Sequence, residues 1–201
     1  VDITAETCTH YLVFTEDLMG RDDGMKWVCS PPIRSRAIQD RLWAGLADGR
    51  IAMVSSDDAA YSWEAKLYGK DRFDKIPNGI PGVETRLSIL YSEGVAKGRI
   101  SLTQFVEFVA TAPARLFGLA PQKGCITPGA DADIVLFDPE KRWIMGQDTL
   151  HMATDWSAYQ DIDVVGKIEK VFSRGELIVD GDKCLAEKGR GRYIHRRLAP
   201  K

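Results

Sequence analysis

The run Ile51-Ala52-Met53-Val54-Ser55-Ser56-Asp57 is apolar almost without a break until it meets two serines and an aspartate. A strand wetted on one face alternates apolar and polar residues, whereas a near-continuous apolar run suits a parallel strand covered on both sides. Parallel strands need a crossover, and the residues ahead supply one. Residues 1–7 alternate like a strand, and Ser35 is placed to cap a helix carrying Ile38, Leu42, Trp43 and Leu46 on one face and ending near Gly49. Strand, loop, helix and strand make a βα unit of an α/β fold. In such folds the carboxyl ends of the strands face the edge where chemistry is done, and Asp57 closes this one. An isolated Ser-Asp-Asp more often caps the next helix, so the choice rests on the rest of the chain.

A chain of 201 residues with 44% apolar content can build one good core or two small ones. Its net charge of −2 exerts no long-range pull on nucleic acid or anionic lipid, so neither is expected as a partner. The four cysteines, Cys8, Cys29, Cys125 and Cys184, are widely spaced and form no CxxC, which fits reduced thiols and a cytoplasmic protein. No apolar run reaches the roughly 18 residues of a membrane span.

Residues 58–78 are charged and aromatic without a clean period and read as a long loop over the active edge. Residues 82–96 read as a helix with Val83, Leu87, Leu90 and Tyr91 inward. Ser101 opens another, with Gln104 as its capping partner and Leu102, Phe105, Val106 and Val109 as core. Residues 111–119 form a third, with Pro113 near its start. Beyond Gly118 the period shortens to that of strands at 124–127, 133–137, 168–173 and 176–179. Turns are expected at Pro128-Gly129, Asp138-Pro139, Arg174-Gly175 and Asp180-Gly181. Asp131 and Asp133, two apart with Asp138 close by, fall on one side of a strand by alternation and invite a metal reading. The six Lys and Arg residues of 187–201 make a basic tail that reads as solvated.

Several segments in order, Glu6-Thr7-Cys8-Thr9-His10-Tyr11-Leu12, Cys29-Ser30-Pro31-Pro32-Ile33-Arg34, the strand ending at Asp57, Lys75-Ile76-Pro77-Asn78-Gly79, Pro113-Ala114-Arg115-Leu116-Phe117-Gly118-Leu119 and Gly129-Ala130-Asp131-Ala132-Asp133-Ile134-Val135, resemble the C-terminal part of the cyclic amidohydrolases, in the hydantoinase and dihydropyrimidinase branch. The resemblance implies an α/β fold in three parts. Residues 1–118 correspond to the end of a TIM (β/α)8 barrel, strands seven and eight with their helices. Residues 119–186 correspond to the C-terminal share of a small β-sandwich, and 187–201 to the basic tail, for which the resemblance implies the alternative of reaching across a neighbouring subunit. Against a metal role for Asp131 and Asp133, the resemblance implies a structural one.

The resemblance implies hydrolysis of a cyclic amide: a hydantoin or dihydropyrimidine ring opened to an N-carbamoyl amino acid. The alternatives are allantoin or another cyclic ureide or imide as substrate, and a non-catalytic, dihydropyrimidinase-like oligomeric scaffold. In the family a divalent pair, expected to be zinc, sits on an HxH pair, a carboxylated lysine, two more histidines and one aspartate. Asp57 matches the aspartate, which ligates metal and carries the proton as general base and then general acid. Ser30 and Asn78 match the residues whose main-chain groups hold the cyclic amide. His10, His151 and His195 match none of the ligand histidines. The expected partners are therefore the cyclic amide, a missing N-terminal portion holding the other ligands, and further copies of the chain in a homo-oligomer, a tetramer or dimer. Asp58, where relatives commonly carry His or Gln, is a departure, and a second carboxylate there could raise its neighbour's pKa.

Overall fold

Parallel pairing joins β1 (Glu6–Cys8) to β2 (Met53–Ser55) in the computed structural model, which describes residues 3–197. The register sets Glu6 against Met53, Thr7 against Val54 and Cys8 against Ser55. Val1 and Asp2, the start of the expected first strand, lie outside the described residues. The crossover runs through α1 (Thr9–Val13) and α2 (Arg36–Ala47), with extended Ser35 before α2. Trp43 and Leu46 are buried, and the Trp43 indole donates to the Leu12 carbonyl at 2.9 Å, tying α2 to the end of α1. Ile38, expected on the inner face, is instead exposed, and Gln39 takes the inner position by donating to the Phe14 carbonyl at 3.0 Å.

Residues 58–78 are not a bare loop. They contain α3 (Trp63–Leu67), capped by the Ser62 hydroxyl, which accepts from the Ala65 N–H. One turn of helix is too short to show a period. Beyond it come α4 (Arg86–Leu90), which widens into a π-turn, α5 (Leu102–Val106), a second π-turn over Glu107–Thr111, and α6 (Ala112–Leu116). The widening ahead of Pro113 leaves room for a ring that clashes with the preceding turn of a regular helix. The expected Ser101–Gln104 capping box is present in both directions.

Val83, Leu102 and Val106 were expected inside but are exposed, at 60%, 59% and 46%. Val83 precedes α4 and borders solvent. Leu102 and Val106 line an open groove of about 950 Å³ that they share with Val135 and Leu136. On that side, nothing among the described residues covers them.

The later part is a four-stranded antiparallel meander of β3 (Ile134–Met145), β4 (Ile162–Ser173), β5 (Glu176–Asp180) and β6 (Lys183–Cys184), in that order. Among the described residues this part of the chain forms one sheet. Residues 124–127 are not a strand, since they pair with no neighbour and Ile126 is exposed. The Asp138-Pro139 pair does not end β3 either: the Asp138 carboxylate accepts from the N–H groups of Glu140 and Lys141, and the register against β4 shifts there, making a bulge.

Two buried clusters hold the molecule. One joins Leu12, Trp43, Leu46 and Val54 to Leu90, Phe105 and Phe108. The other joins Phe14, Trp27, Ile33 and Ile80 to Met145, Trp156, Tyr159 and Val164, so the sheet and the residues between β3 and β4 share a core with the α/β part. The tail residues 187–197 form no helix or strand. They are nevertheless anchored on this chain, where Arg190 donates to the Ser173 carbonyl and the Arg197 N–H donates to the Gly118 carbonyl. Residues 198–201 lie outside the described residues. The four cysteines are free thiols.

Candidate active site

The parallel register brings Cys8 beside Ser55, and their side chains touch at 3.3 Å. Past these paired residues the two chains diverge, one into α1 and the other through Ser56 to Asp57. Asp57 adopts the left-handed region at φ 45°, a conformation that short polar side chains tolerate best after glycine. It is exposed. His10, in the first turn of α1, is 1% exposed, and neither ring nitrogen has a hydrogen-bond partner.

The donor atoms of Cys8, His10 and Asp57 lie within 4.8 Å of one another. Among the described residues they form the one such cluster of histidine, cysteine and carboxylate groups. Burial pushes the His10 imidazole down to about 4, against the pull of the Asp57 carboxylate. It also raises the Cys8 thiol, partly offset by the hydrogen bond shared with Ser55. All three are side-chain types that ligate divalent metals, but only Asp57 is exposed at the open edge, while Cys8 and His10 are buried. In sequence His10 stands 47 positions from Asp57, and the fold places the two side by side. Only the register of two strands far apart in sequence could have revealed the pair.

Ser30 and Asn78 are exposed, and their segments meet. The Gly79 N–H donates to the Val28 carbonyl at 3.0 Å. Gly79 has φ 148°, and a Cβ there would sit 2.3 Å from that of Ala59, so the Asn-Gly pair fits only as it stands. The same stretch joins the end of β2 through an Asp58–Ile80 bridge, and the Ala59 N–H donates to the Ile80 carbonyl at 3.2 Å. Asp57, Ser30 and Asn78 therefore come from three segments tied together by main-chain bonds. Asp58 turns away from this edge, and its carboxylate accepts from the N–H groups of Gly82 at 2.6 Å and Val83 at 2.9 Å. It caps the approach to α4 and is not a second site carboxylate.

Asp131 and Asp133 both pair with Lys123, and Asp133 also accepts from the Arg174 N–H at 2.8 Å. They fasten the segment before β3, as expected. Sequence reasoning missed Lys66, which lies wholly buried in α3 behind Asn78. A lysine in a short polar helix is ordinarily solvated, and nothing in the sequence marked this one.

The profile of the amidohydrolase family matches residues 3–178. The chain is 47% identical to a D-hydantoinase of Ralstonia pickettii over 196 residues, covering 96% of this chain and 43% of that protein. It is 42% identical to a D-phenylhydantoinase of Escherichia coli O1:K1, covering 97% of this chain and 42% of the relative. Among solved structures, a D-hydantoinase superposes with a TM-score of 0.97 at 41% identity, over all of this chain and 44% of the other. The dihydropyrimidinase of Brevibacillus agri NCHU1002 gives 0.96 at 42% identity, over 98% and 44%. The chain thus spans less than half the length of the relatives it matches. Given the strand pair, the groups gathered at its end and these similarities, the chain belongs to the amidohydrolase family, in its hydantoinase and dihydropyrimidinase branch.

Proposed function

We propose that this chain is the C-terminal part of an enzyme that adds water across the C–N bond of a cyclic amide, opening a hydantoin or dihydropyrimidine ring to an N-carbamoyl amino acid. The observation that carries the reading is the convergence of Asp57 with the Ser30 and Asn78 segments at one exposed edge. These are the residues to which the resemblance assigns cyclic amide hydrolysis, in a chain 47% identical to a D-hydantoinase.

In this proposal Asp57 is a metal ligand and the proton carrier. Its carboxylate accepts the proton of the attacking water, whose oxygen bonds to the ring carbonyl carbon. As the C–N bond breaks, it returns that proton to the leaving nitrogen. Carboxylate suits the position because it combines negative charge with an available lone pair. Main-chain groups of Ser30 and Asn78 hold the cis-amide edge, donor to acceptor and acceptor to donor, and main-chain groups held by neighbouring bonds do this without rotamer freedom.

Bound divalent metal supplies an acidified water and a Lewis acid for the carbonyl. The proposal is two zinc ions, with Asp57 contributing from this chain and the remaining ligands, a carboxylated lysine among them, from outside it. The substrates in this reading are small rings of the hydantoin class, and the enzyme is read as a cytoplasmic homo-oligomer. No helix among the described residues is long and apolar enough to cross a membrane.

The test is ring opening by the metal-loaded enzyme carrying this segment, scored as N-carbamoyl product from hydantoin, phenylhydantoin, dihydrouracil and allantoin. Turnover of the first three above allantoin is expected. Absence of product from all four overturns the reading.

A further inference from the structure

Lys66 has no solvent-exposed surface. An ammonium withdrawn from water costs several kcal/mol unless its donors are matched, and no carboxylate forms an ion pair with it among the described residues. Three main-chain carbonyls supply the match: Nζ donates to Gly79 at 2.7 Å, to Pro77 at 2.8 Å and to Val28 at 3.2 Å. The Trp156 and Tyr61 rings lie 5.6 and 6.0 Å from the nitrogen and present their faces to the charge. With all three protons engaged, Lys66 has nothing left to offer a substrate. Burial brings its pKa down to about 8, which leaves the ammonium form predominant at neutral pH.

The choice of acceptors is what gives Lys66 a role. Pro77 and Gly79 flank Asn78, and Val28 lies two residues before Ser30. A peptide unit is planar and trans, so fixing its carbonyl also fixes the direction of the next N–H. The bond to Pro77 orients the unit ahead of Asn78, and the bond to Gly79 orients the unit after Gly79. The unit between them, which carries the Asn78 carbonyl, is set by the bond from the Gly79 N–H to Val28. Three successive peptide planes are thereby locked, and among the described residues no hydrogen bond occupies the Asn78 carbonyl.

We propose that Lys66 is a positioning residue that aims the Asn78 carbonyl and the main chain at Ser30 toward the ring, while touching neither substrate nor metal. This rests on the cyclic amide reading. Lys66→Met keeps the bulk and removes the charge and all three donors, and Lys66→Gln restores two of the donors. In the enzyme carrying this segment, Lys66→Met is expected to raise KM for dihydrouracil by about tenfold or more, with kcat within about threefold and metal content unchanged. Lys66→Gln is expected to recover part of the affinity. Amide exchange at Gly79 should speed up in Lys66→Met ahead of the buried amides of α2, which a general loss of stability would not produce.

A KM within about twofold of the parent in folded Lys66→Met overturns the proposal, as does a loss confined to kcat. Should Lys66→Met not fold, Lys66→Gln decides by the same two readouts. If the parent enzyme opens no cyclic amide, that reading fails by itself. Gly79 exchange then decides for Lys66, and unchanged protection in the variant overturns the proposal.

Discussion

His10 and Asp57 each stand two residues beyond a paired position, Cys8 opposite Ser55, so the parallel register of β1 and β2 delivers a buried imidazole and an exposed carboxylate to the same edge. Burial holds His10 near 4, below its ordinary 6.5. A histidine depressed in the folded state contributes stability that is complete above 6.5 and is lost as pH falls toward the folded value, because the unfolded chain takes up the proton first. The full shift is worth up to about 3 kcal/mol. Urea midpoints for the parent should therefore drop between about pH 7 and pH 5, and His10→Gln should flatten that drop. Equal slopes for the two proteins would show that His10 is not the group responsible.

His151 titrates in the opposite sense. Its ring sits 2.7 Å from Glu84, its main-chain N–H donates to the same carboxylate, and its other nitrogen meets the Asp182 carbonyl at 3.0 Å. The Glu84 contact first, then the Asp182 carbonyl, raises its pKa above 6.5. The stabilisation is fully present below 6.5 and lost as pH rises through the folded value. The His151 side chain is more than half exposed, so solvent keeps the effect modest. Melting curves of the parent and Glu84→Gln should differ most near about pH 6 and converge near about pH 9. A gap that stays constant with pH would count against a titrating contact.

What the sequence disclosed is what local chemistry determines. The run ending at Asp57 is legible because a doubly covered strand has a composition of its own, and the Ser101–Gln104 box because both partners lie within one turn. Asp138-Pro139 was legible as turn chemistry, yet the turn is absorbed as a bulge inside β3, and no local pattern separates those outcomes. The His10–Asp57 neighbourhood depends on a register between strands 47 residues apart at Cys8 and Ser55. Lys66 is the furthest from view, since its burial depends on carbonyls from two other segments turning inward together.

The groove between α5 and β3 makes a prediction about association. Leu102, Val106, Val135 and Leu136 are each more than two-fifths exposed there. Apolar patches of this kind seek a partner surface. Sedimentation of the 201-residue chain should show self-association, and Val106→Lys with Leu136→Lys should shift it toward monomer. A monomer at every concentration before mutation would contradict this.

Asp57 and Asp58 are adjacent but have different surroundings, and this separates chemistry from scaffold. Asn at 57 keeps the shape and one metal-facing oxygen but cannot take up the water's proton near neutral pH or return it to the leaving nitrogen. General acid–base contributions are typically about 10²- to 10⁴-fold, and loss of a ligand charge adds to that. In the enzyme carrying this segment, Asp57→Asn should lower kcat by at least about a thousandfold with little change in substrate affinity. Asp58 holds the N–H groups of Gly82 and Val83, and Asn there retains an acceptor oxygen. Asp58→Asn should therefore cost under about tenfold in kcat and about 1 kcal/mol of stability. Single-turnover rates and urea titrations on both variants decide between the two. Near-normal kcat in Asp57→Asn, or an inactive Asp58→Asn of normal stability, would place the proton carrier somewhere other than the end of β2.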